Sequence, residues 1–94
     1  LRSSSAEDDL NEIVLYIASD RPSAAEAIAN KIEKSLVHLL KRPMLGRIPK
    51  EEELARLGYR YLVVENYLIF YTIEDPTIHV HRILHGARDY LSLF

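Results

Sequence analysis

The chain has 94 residues, of which 48% are hydrophobic and 28% are charged, with no cysteine and a net charge of −2. This size allows one small core, so we expect a single domain over residues 1–94, and the composition excludes a disordered chain, a disulfide framework and cysteine chemistry. The longest uncharged apolar run, residues 67–73, is too short to cross a membrane, and we see no secretory signal, so we expect a cytoplasmic protein.

The first predicted element is an amphipathic helix near the N-terminus. Ser4 followed by Glu7 fits a capping box, in which a hydroxyl and a carboxylate bind free amides of the first turn. Apolar residues then recur at helical spacing: Leu10, Ile13, Val14 and Ile17. Residues 1–30 carry two basic and six acidic side chains, so this part of the chain is negative.

A second, longer helix follows a break at Asp20-Arg21-Pro22. Ser23 and Glu26 form a second capping box. Its apolar stripe ends near Leu40 and comprises Ala25, Ile28, Ile32, Leu36 and Leu39. Two helices joined by so short a connection predict an antiparallel helical hairpin.

A positively charged stretch follows the hairpin. Residues 31–60 carry eight basic and four acidic side chains. Residues 44–53 include Gly46 and Pro49 and predict a loop, and residues 51–57 predict a short helical turn. The cations around this loop are Lys41, Arg42, Arg47 and Lys50.

Three short runs rich in β-branched and aromatic residues come next, at residues 59–64, 67–73 and 78–84. The turn-like segments between them predict a three-stranded antiparallel meander. The middle run is apolar on both faces, so we expect the helices to cover one face and a C-terminal element, a partner chain or both to cover the other. The apolar residues of that C-terminal element are Tyr90, Leu91, Leu93 and Phe94. We therefore predict a two-layer α+β fold.

Basic and aromatic residues gather on the predicted sheet and directly after it. They are Arg60, Tyr61, His79, His81, Arg82, His85, Arg88, Asp89 and Tyr90. Arginine can hold a phosphate and histidine can move a proton, and metal-free RNA cleavage requires both. The alternative is structural: Arg88 pairs with Asp89, the tyrosine rings pack in the core and Arg60 lies at the surface. Glycine-rich phosphate loops, nucleophile elbows and zinc-protease motifs are absent from the sequence.

Three histidines, His79, His81 and His85, fall on one strand face by parity. A His-x-His pair can bind zinc or copper, but no carboxylate or thiolate on the same strand has the spacing of a third ligand. We expect half-exposed sheet histidines rather than a metal site, and we expect no cofactor.

Short motifs in a fixed order run along nearly the whole chain. They are Asp9-Leu10, Tyr16-Ile17-Ala18, Pro22, Ala24-Ala25, Pro43, Gly46-Arg47, Asn66-Tyr67, Phe70-Tyr71 and Arg82-Ile83-Leu84-His85-Gly86-Ala87-Arg88-Asp89. Together they resemble the ParE/RelE superfamily of toxins from type II toxin–antitoxin systems. The resemblance implies the architecture above with one further short strand before the first helix. Leu1-Arg2 looks like the tail of that strand, and since the chain does not begin with Met, we expect a short piece upstream.

The resemblance implies a toxin that arrests growth and is held inactive by an antitoxin encoded beside it. RelE-like members cut messenger RNA on the ribosome with basic and aromatic side chains and no metal, whereas ParE-like members inhibit DNA gyrase. If the chain is a nuclease, the resemblance makes Arg60 and Arg88 catalytic and places Tyr90 near the catalytic C-terminal tyrosine of that branch. His85 would be the base or acid of a different nuclease arrangement.

Two departures from the RelE-like pattern favour the ParE-like branch. Leu62 and Leu68 stand where RelE-like nucleases carry a lysine and an arginine, which removes much of the electrostatic stabilisation of such a mechanism. A negative net charge is also unusual for a protein that binds ribosomal RNA. We therefore predict a gyrase inhibitor. The alternatives are a ribosome-dependent endoribonuclease and a non-toxic interaction module.

Two kinds of partner follow from the resemblance: the antitoxin, and a target that is gyrase or the ribosome with its messenger RNA. The antitoxin would dock an amphipathic helix or an added strand on exposed apolar residues. The basic stretch is a better candidate for target contact than the acidic first helix. The alternative is that its cations only make a surface loop soluble. We take Arg47, Lys50 and Arg82 as the candidate target-binding residues.

Overall fold

The computed structural model describes residues 1–87 and 90–94. The helices are α1 (Ser4–Ala18), α2 (Pro22–Lys41) and α3 (Glu52–Arg56), the strands are β1 (Arg60–Val64), β2 (Tyr67–Glu74) and β3 (Thr77–His85), and 3-10 turns cover Pro43–Leu45 and Leu91–Leu93. The predicted order of helical hairpin, loop and meander is confirmed. Within the described residues, no helix is long and apolar enough to span a membrane.

The strands form an antiparallel sheet in the order β1-β2-β3. Ile69 in the middle of β2 pairs with Leu62 of β1 and with Ile83 of β3. The N-terminal residues run parallel to the outer edge of β3, where the Ser3 amide donates to the Val80 carbonyl at 2.9 Å. This is the place of the extra short strand that the resemblance implies.

The two long helices pack on one face of the sheet and form the larger core with it. Ile32, Ile69 and Tyr71 are fully buried there. The other buried members of this helix-side core are Ala6, Leu10, Ile28, Leu39, Leu62, Val64, Ile78, Val80 and Ile83. Burying a large apolar side chain contributes about 1.5–3 kcal/mol, so this layer is the main source of stability. The predicted two-layer α+β fold is confirmed.

A smaller apolar cluster, the second-face cluster, covers the opposite face of the sheet. Leu54 of α3, Phe70 of β2 and Leu84 of β3 are buried in it. Tyr90 and Phe94 cover it from the C-terminal segment, with ring centroids 5.1 Å and 5.0 Å from that of Phe70. The predicted C-terminal cover is therefore confirmed, and this face does not need a partner chain to bury the middle strand.

Both helix starts differ from the capping boxes that the sequence predicts. Ser3 rather than Ser4 is the N-cap of α1, and its hydroxyl accepts from an amide of the first turn at 3.0 Å. The start of α2 has no side-chain cap, because Arg21 is the N-cap residue and Ser23 already lies inside the helix. Pro22 opens α2 instead, since its fixed φ suits a helix and its missing amide would be unpaired there.

Replacing Ser3 by alanine is expected to lower the free energy of unfolding by about 1–2 kcal/mol. The Ser3 hydroxyl caps α1 and also donates to the carbonyl of His81 at 2.8 Å, so it joins the helix to β3. The matched control is Ser4→Ala, which removes an exposed hydroxyl and should change stability by less than about 0.5 kcal/mol. Urea denaturation measures both values, and equal losses would contradict the assignment of Ser3 as the cap.

β3 contains a bulge that the sequence pattern does not predict. Phe70 of β2 pairs with Arg82, but the next residue, Tyr71, pairs with Val80, so His81 is an extra residue in β3. One extra residue reverses the face on which every later side chain lies.

The prediction that three histidines share one strand face is therefore wrong. His79 and His81 lie before and at the bulge with their rings stacked at 6.3 Å, and His81 contacts Tyr59 of the second-face cluster. His85 lies beyond the bulge, opposite Tyr67, which packs against the helix-side core. The bulge thus separates His85 from the other two.

Candidate functional site

The segment at residues 41–50, which we call the basic loop, starts at the last residue of α2 and continues into the loop after it. A hydrogen-bonded arrangement that we call the Tyr71 clamp holds it in place. The Tyr71 hydroxyl donates to the Pro43 carbonyl at 2.7 Å and accepts from the Gly46 amide at 2.8 Å. Arg60 Nη1 donates to the Gly46 carbonyl at 2.9 Å. Burial raises the pKa of Tyr71, against smaller opposing effects of the Gly46 bond and the Arg60 charge, so the hydroxyl stays protonated and keeps both bonds.

The basic loop is also paired with the outer edge of β1. The Arg47 amide donates to the Tyr61 carbonyl at 2.8 Å, and the Tyr61 amide donates back at 2.9 Å. Cationic and apolar side chains are interspersed on the exposed surface of the loop: Lys41, Arg42, Met44, Leu45, Arg47, Ile48 and Lys50. A rigid loop of this kind can bind a macromolecule that presents acidic and apolar groups. The predicted target-binding residues Arg47 and Lys50 both lie here.

Arg82, the third predicted target-binding residue, is bound to α1 instead. Its Nε and Nη2 donate to the two carboxylate oxygens of Asp9, each at 2.8 Å, and Nη1 donates to the Leu93 carbonyl at 3.1 Å. The hydrogen bond to Asp9 raises the pKa of Arg82; burial opposes it, and the charges of Asp9 and Glu12 add to it. All three nitrogens of its guanidinium thus face acceptors within the protein, and Arg82 joins β3 to α1 and to the C-terminal turn.

Asp9 is the one buried charged residue in the described part of the chain, and its motif alone did not predict this burial. It is 8% exposed, and besides Arg82 it accepts from the amide of Ile83 at 2.9 Å. The Asp9 carboxylate thus satisfies an amide of β3 that lies beyond the part paired with the N-terminal residues. The spacing of the sequence does indicate that Asp9 points inward, because it lies three residues after Ala6 and four before Ile13, on the same face of α1.

Tyr90, a predicted catalytic residue, packs against the second-face cluster. Its hydroxyl donates to Glu51 Oε2 at 2.9 Å. Burial, followed by the hydrogen bond and charge of Glu51 and by Tyr61, raises the pKa of Tyr90 to about 12. This hydrogen bond anchors the C-terminal segment to the residue that precedes α3.

The other predicted catalytic residues lie apart. Arg60 belongs to the Tyr71 clamp and pairs with Tyr71 of β2. His85 pairs with Tyr67, four residues from Tyr71, which is about 13 Å along an extended strand. Arg88 lies outside the described residues. The structure therefore does not bring Arg60 and His85 into one site.

The other two histidines of β3, His79 and His81, belong to a polar cluster near the start of that strand. His81 Nε2 is 2.8 Å from Thr72 Oγ1, and His79 Nε2 is 3.2 Å from Glu74 Oε2. Burial and then the charge of His79 lower the pKa of His81, while Glu74 opposes them. In residues 1–87 and 90–94, no group of three or more His, Asp or Glu is arranged to hold a metal.

Comparison with known proteins gives the family of the chain. Residues 1–90 match the family described as the ParE toxin of the type II toxin–antitoxin system, parDE. Toxin RelE2 of Caulobacter vibrioides is 36% identical over 81 residues, which is 85% of each chain. A solved structure described as the chromosomal ParDE TA system from P. aeruginosa has the same fold, with a TM-score of 0.73 over 89% of this chain and 90% of that one at 19% identity. The protein therefore belongs to the ParE toxin family of type II toxin–antitoxin systems, within the ParE/RelE superfamily.

Proposed function

We propose that this toxin arrests growth in the cytoplasm by binding and inhibiting DNA gyrase, and that an antitoxin encoded beside it neutralises it. One observation carries the proposal: the basic loop presents exposed cations on a clamped frame. Two of the side chains that a nuclease would use, those of Arg60 and Tyr90, are instead hydrogen-bonded to other parts of the protein. An inhibitor that acts by binding needs a preorganised surface and no catalytic group.

The two leucines at positions where RelE-like nucleases carry cations support this proposal. Leu62 is 9% exposed and packs in the helix-side core, and Leu68 packs against the second-face cluster. A metal-free nuclease must stabilise the charge of a crowded phosphate with preorganised donors. Neither position offers such a donor.

The surface of the basic loop has the features of a protein contact. Met44 and Ile48 are 66% and 61% exposed and alternate with the cations Arg47 and Lys50. Exposed apolar side chains bordered by charges mark contact sites, and the charges steer association. The Tyr71 clamp orders the loop before binding, so little conformational entropy is lost when a partner binds.

Replacing both Arg47 and Lys50 by glutamate is expected to weaken inhibition of gyrase by about 10- to 100-fold, because the two reversals remove attraction and add repulsion at the contact. The measurement is the toxin concentration that halves supercoiling by purified gyrase. The matched control is Arg21→Glu with Lys34→Glu, which reverses two exposed cations near α2 and gives the same net charge. Equal weakening by both double variants, or no inhibition by the wild type, would contradict the proposal.

Ribosome-dependent cleavage of messenger RNA is the second candidate, and the name of the relative, Toxin RelE2, favours it. It predicts cleaved messenger in a translation reaction, abolished by Arg88→Ala, while supercoiling continues. Both assays on one toxin preparation distinguish the two targets. Normal growth after induction of the toxin alone would indicate a non-toxic interaction module.

A further inference from the structure

We propose that the cleft between α1 and the adjoining ends of β2 and β3 binds an arginine or lysine side chain from a basic amphipathic segment of the antitoxin. The α1 cleft has a volume of about 370 Å³. Its lining includes Glu12, Ile13, Tyr16, Tyr67, Ile83 and His85. The inference rests on the proposed toxin–antitoxin function and concerns a surface that the gyrase proposal does not use.

The helix side of the α1 cleft carries large side chains that the fold leaves uncovered. Tyr16 is 81% exposed, and its neighbour Leu15 is 70% exposed. Tyr16 lines the cleft together with Ile13 and Ile83. Exposed apolar surface beside a concave site marks contact with a partner. Tyrosine suits such a contact because its ring buries a large area while its hydroxyl remains hydrogen-bonded.

The free charge in the α1 cleft is negative. Both carboxylate oxygens of Asp9 are used by Arg82, so this pair is internally neutral. Glu12 is exposed, and within the described residues its carboxylate has no hydrogen-bond or ion-pair partner; its charge acts on Arg82 only at longer range. Since residues 1–30 carry six acidic and two basic side chains, the field around the cleft favours a cationic occupant.

Aromatic rings on both walls suit the same occupant. Tyr16 comes from α1 and Tyr67 from β2, and the Tyr67 and His85 rings are roughly perpendicular, with their centroids 5.5 Å apart. A guanidinium or ammonium group is attracted to the face of a tyrosine ring. Arginine can in addition form two parallel hydrogen bonds to a carboxylate such as that of Glu12. A neutral or acidic segment would leave Glu12 desolvated without a partner.

The α1 cleft and the basic loop lie at opposite edges of the sheet. The loop pairs with the outer edge of β1 through Arg47, and α1 contacts β3 at the other edge. The acidic and basic parts of the chain are therefore presented to two different partners. A change in the cleft is expected to alter antitoxin binding while leaving gyrase inhibition unchanged.

Antitoxin affinity of toxin variants tests this inference. With the purified antitoxin from the neighbouring gene as the probe, Glu12→Lys is expected to raise Kd by about 100-fold and Tyr16→Ala by about tenfold. Tyr16→Phe keeps the ring and should bind nearly as well as the wild type. Glu26→Lys is the matched control, because it reverses an exposed carboxylate on α2 and gives the same net charge as Glu12→Lys.

The pattern across these variants decides the outcome. Equal affinity of Glu12→Lys and the wild type, or equal losses in Glu12→Lys and Glu26→Lys, would overturn the cleft proposal. A wild-type toxin that does not bind the antitoxin would overturn it as well. A supercoiling assay distinguishes failure of the cleft proposal from failure of the gyrase proposal. If Glu12→Lys still inhibits gyrase but added antitoxin no longer relieves the inhibition, the cleft proposal is supported. If the wild-type toxin does not inhibit gyrase, only the gyrase proposal is contradicted.

Discussion

Replacing Asp9 by alanine is expected to lower the free energy of unfolding by about 3–5 kcal/mol, a large part of the about 5–15 kcal/mol typical of a domain. The change removes both carboxylate bonds of Arg82, whose side chain is 21% exposed. It also leaves the buried Ile83 amide without its acceptor. A largely buried charge without a partner is costly, because it has left water and no longer has an attraction that compensates.

Equilibrium unfolding in urea measures the effect of this change. The matched control is Asp8→Ala, which removes the neighbouring exposed carboxylate of the same helix and should cost less than about 0.5 kcal/mol. A loss below about 1 kcal/mol for Asp9→Ala would show that the carboxylate does not hold α1 to β3, in contradiction to the geometry.

A double-mutant cycle with Arg82→Ala separates the two contacts of Asp9. In Arg82→Ala, the Asp9 carboxylate still accepts from the Ile83 amide but has lost its counter-ion. A coupling energy of about 1–3 kcal/mol is expected if the ion pair dominates. A coupling near zero would assign the stability loss to the Ile83 bond alone.

Elements with strong apolar periodicity could be predicted from the sequence, because burial of the apolar face is what stabilises them. The stripes of α1 and α2 and the two-sided apolar pattern of β2 are examples, and the latter also predicted a cover on each face. The residue that caps α1 could not be predicted in this way. Ser3 and Ser4 both offer a hydroxyl, and the choice depends on the carbonyl of His81 across in β3.

The candidate site was harder to predict, because residue type does not show whether a donor is already bound within the protein. Arg60 binds an acceptor 14 residues away, Tyr90 one 39 residues away and Arg82 one 73 residues away. The bulge has no local signature either, since the strand alternates regularly through His81 and the extra residue is defined only by pairing with β2. By contrast, the exposure of the cations in the basic loop could be predicted from the local sequence alone.

Replacing Gly46 by alanine is expected to lower the free energy of unfolding by about 2–4 kcal/mol and to release the basic loop from the Tyr71 clamp. A Cβ atom at Gly46 would lie 2.5 Å from the Tyr71 hydroxyl oxygen and 2.6 Å from Cε1 of the same ring. Backbone strain is not the cause, since φ of −71° and ψ of 158° suit alanine. The ring is fully buried, so it cannot move away without opening the core, and the loop must shift.

Gly58→Ala is the control for this prediction, because it tests a glycine without a close neighbour. Gly58 has a φ of +87°, and a Cβ atom added there would meet nothing within 4 Å beyond the adjoining residues of the chain, so its cost is about 1 kcal/mol from strain alone. At a temperature where both variants are folded, Gly46→Ala should inhibit gyrase about tenfold less well, since an unclamped loop loses entropy on binding, and it should still bind the antitoxin. Unchanged gyrase inhibition by a destabilised Gly46→Ala would show that the clamp supports the fold without positioning the target surface.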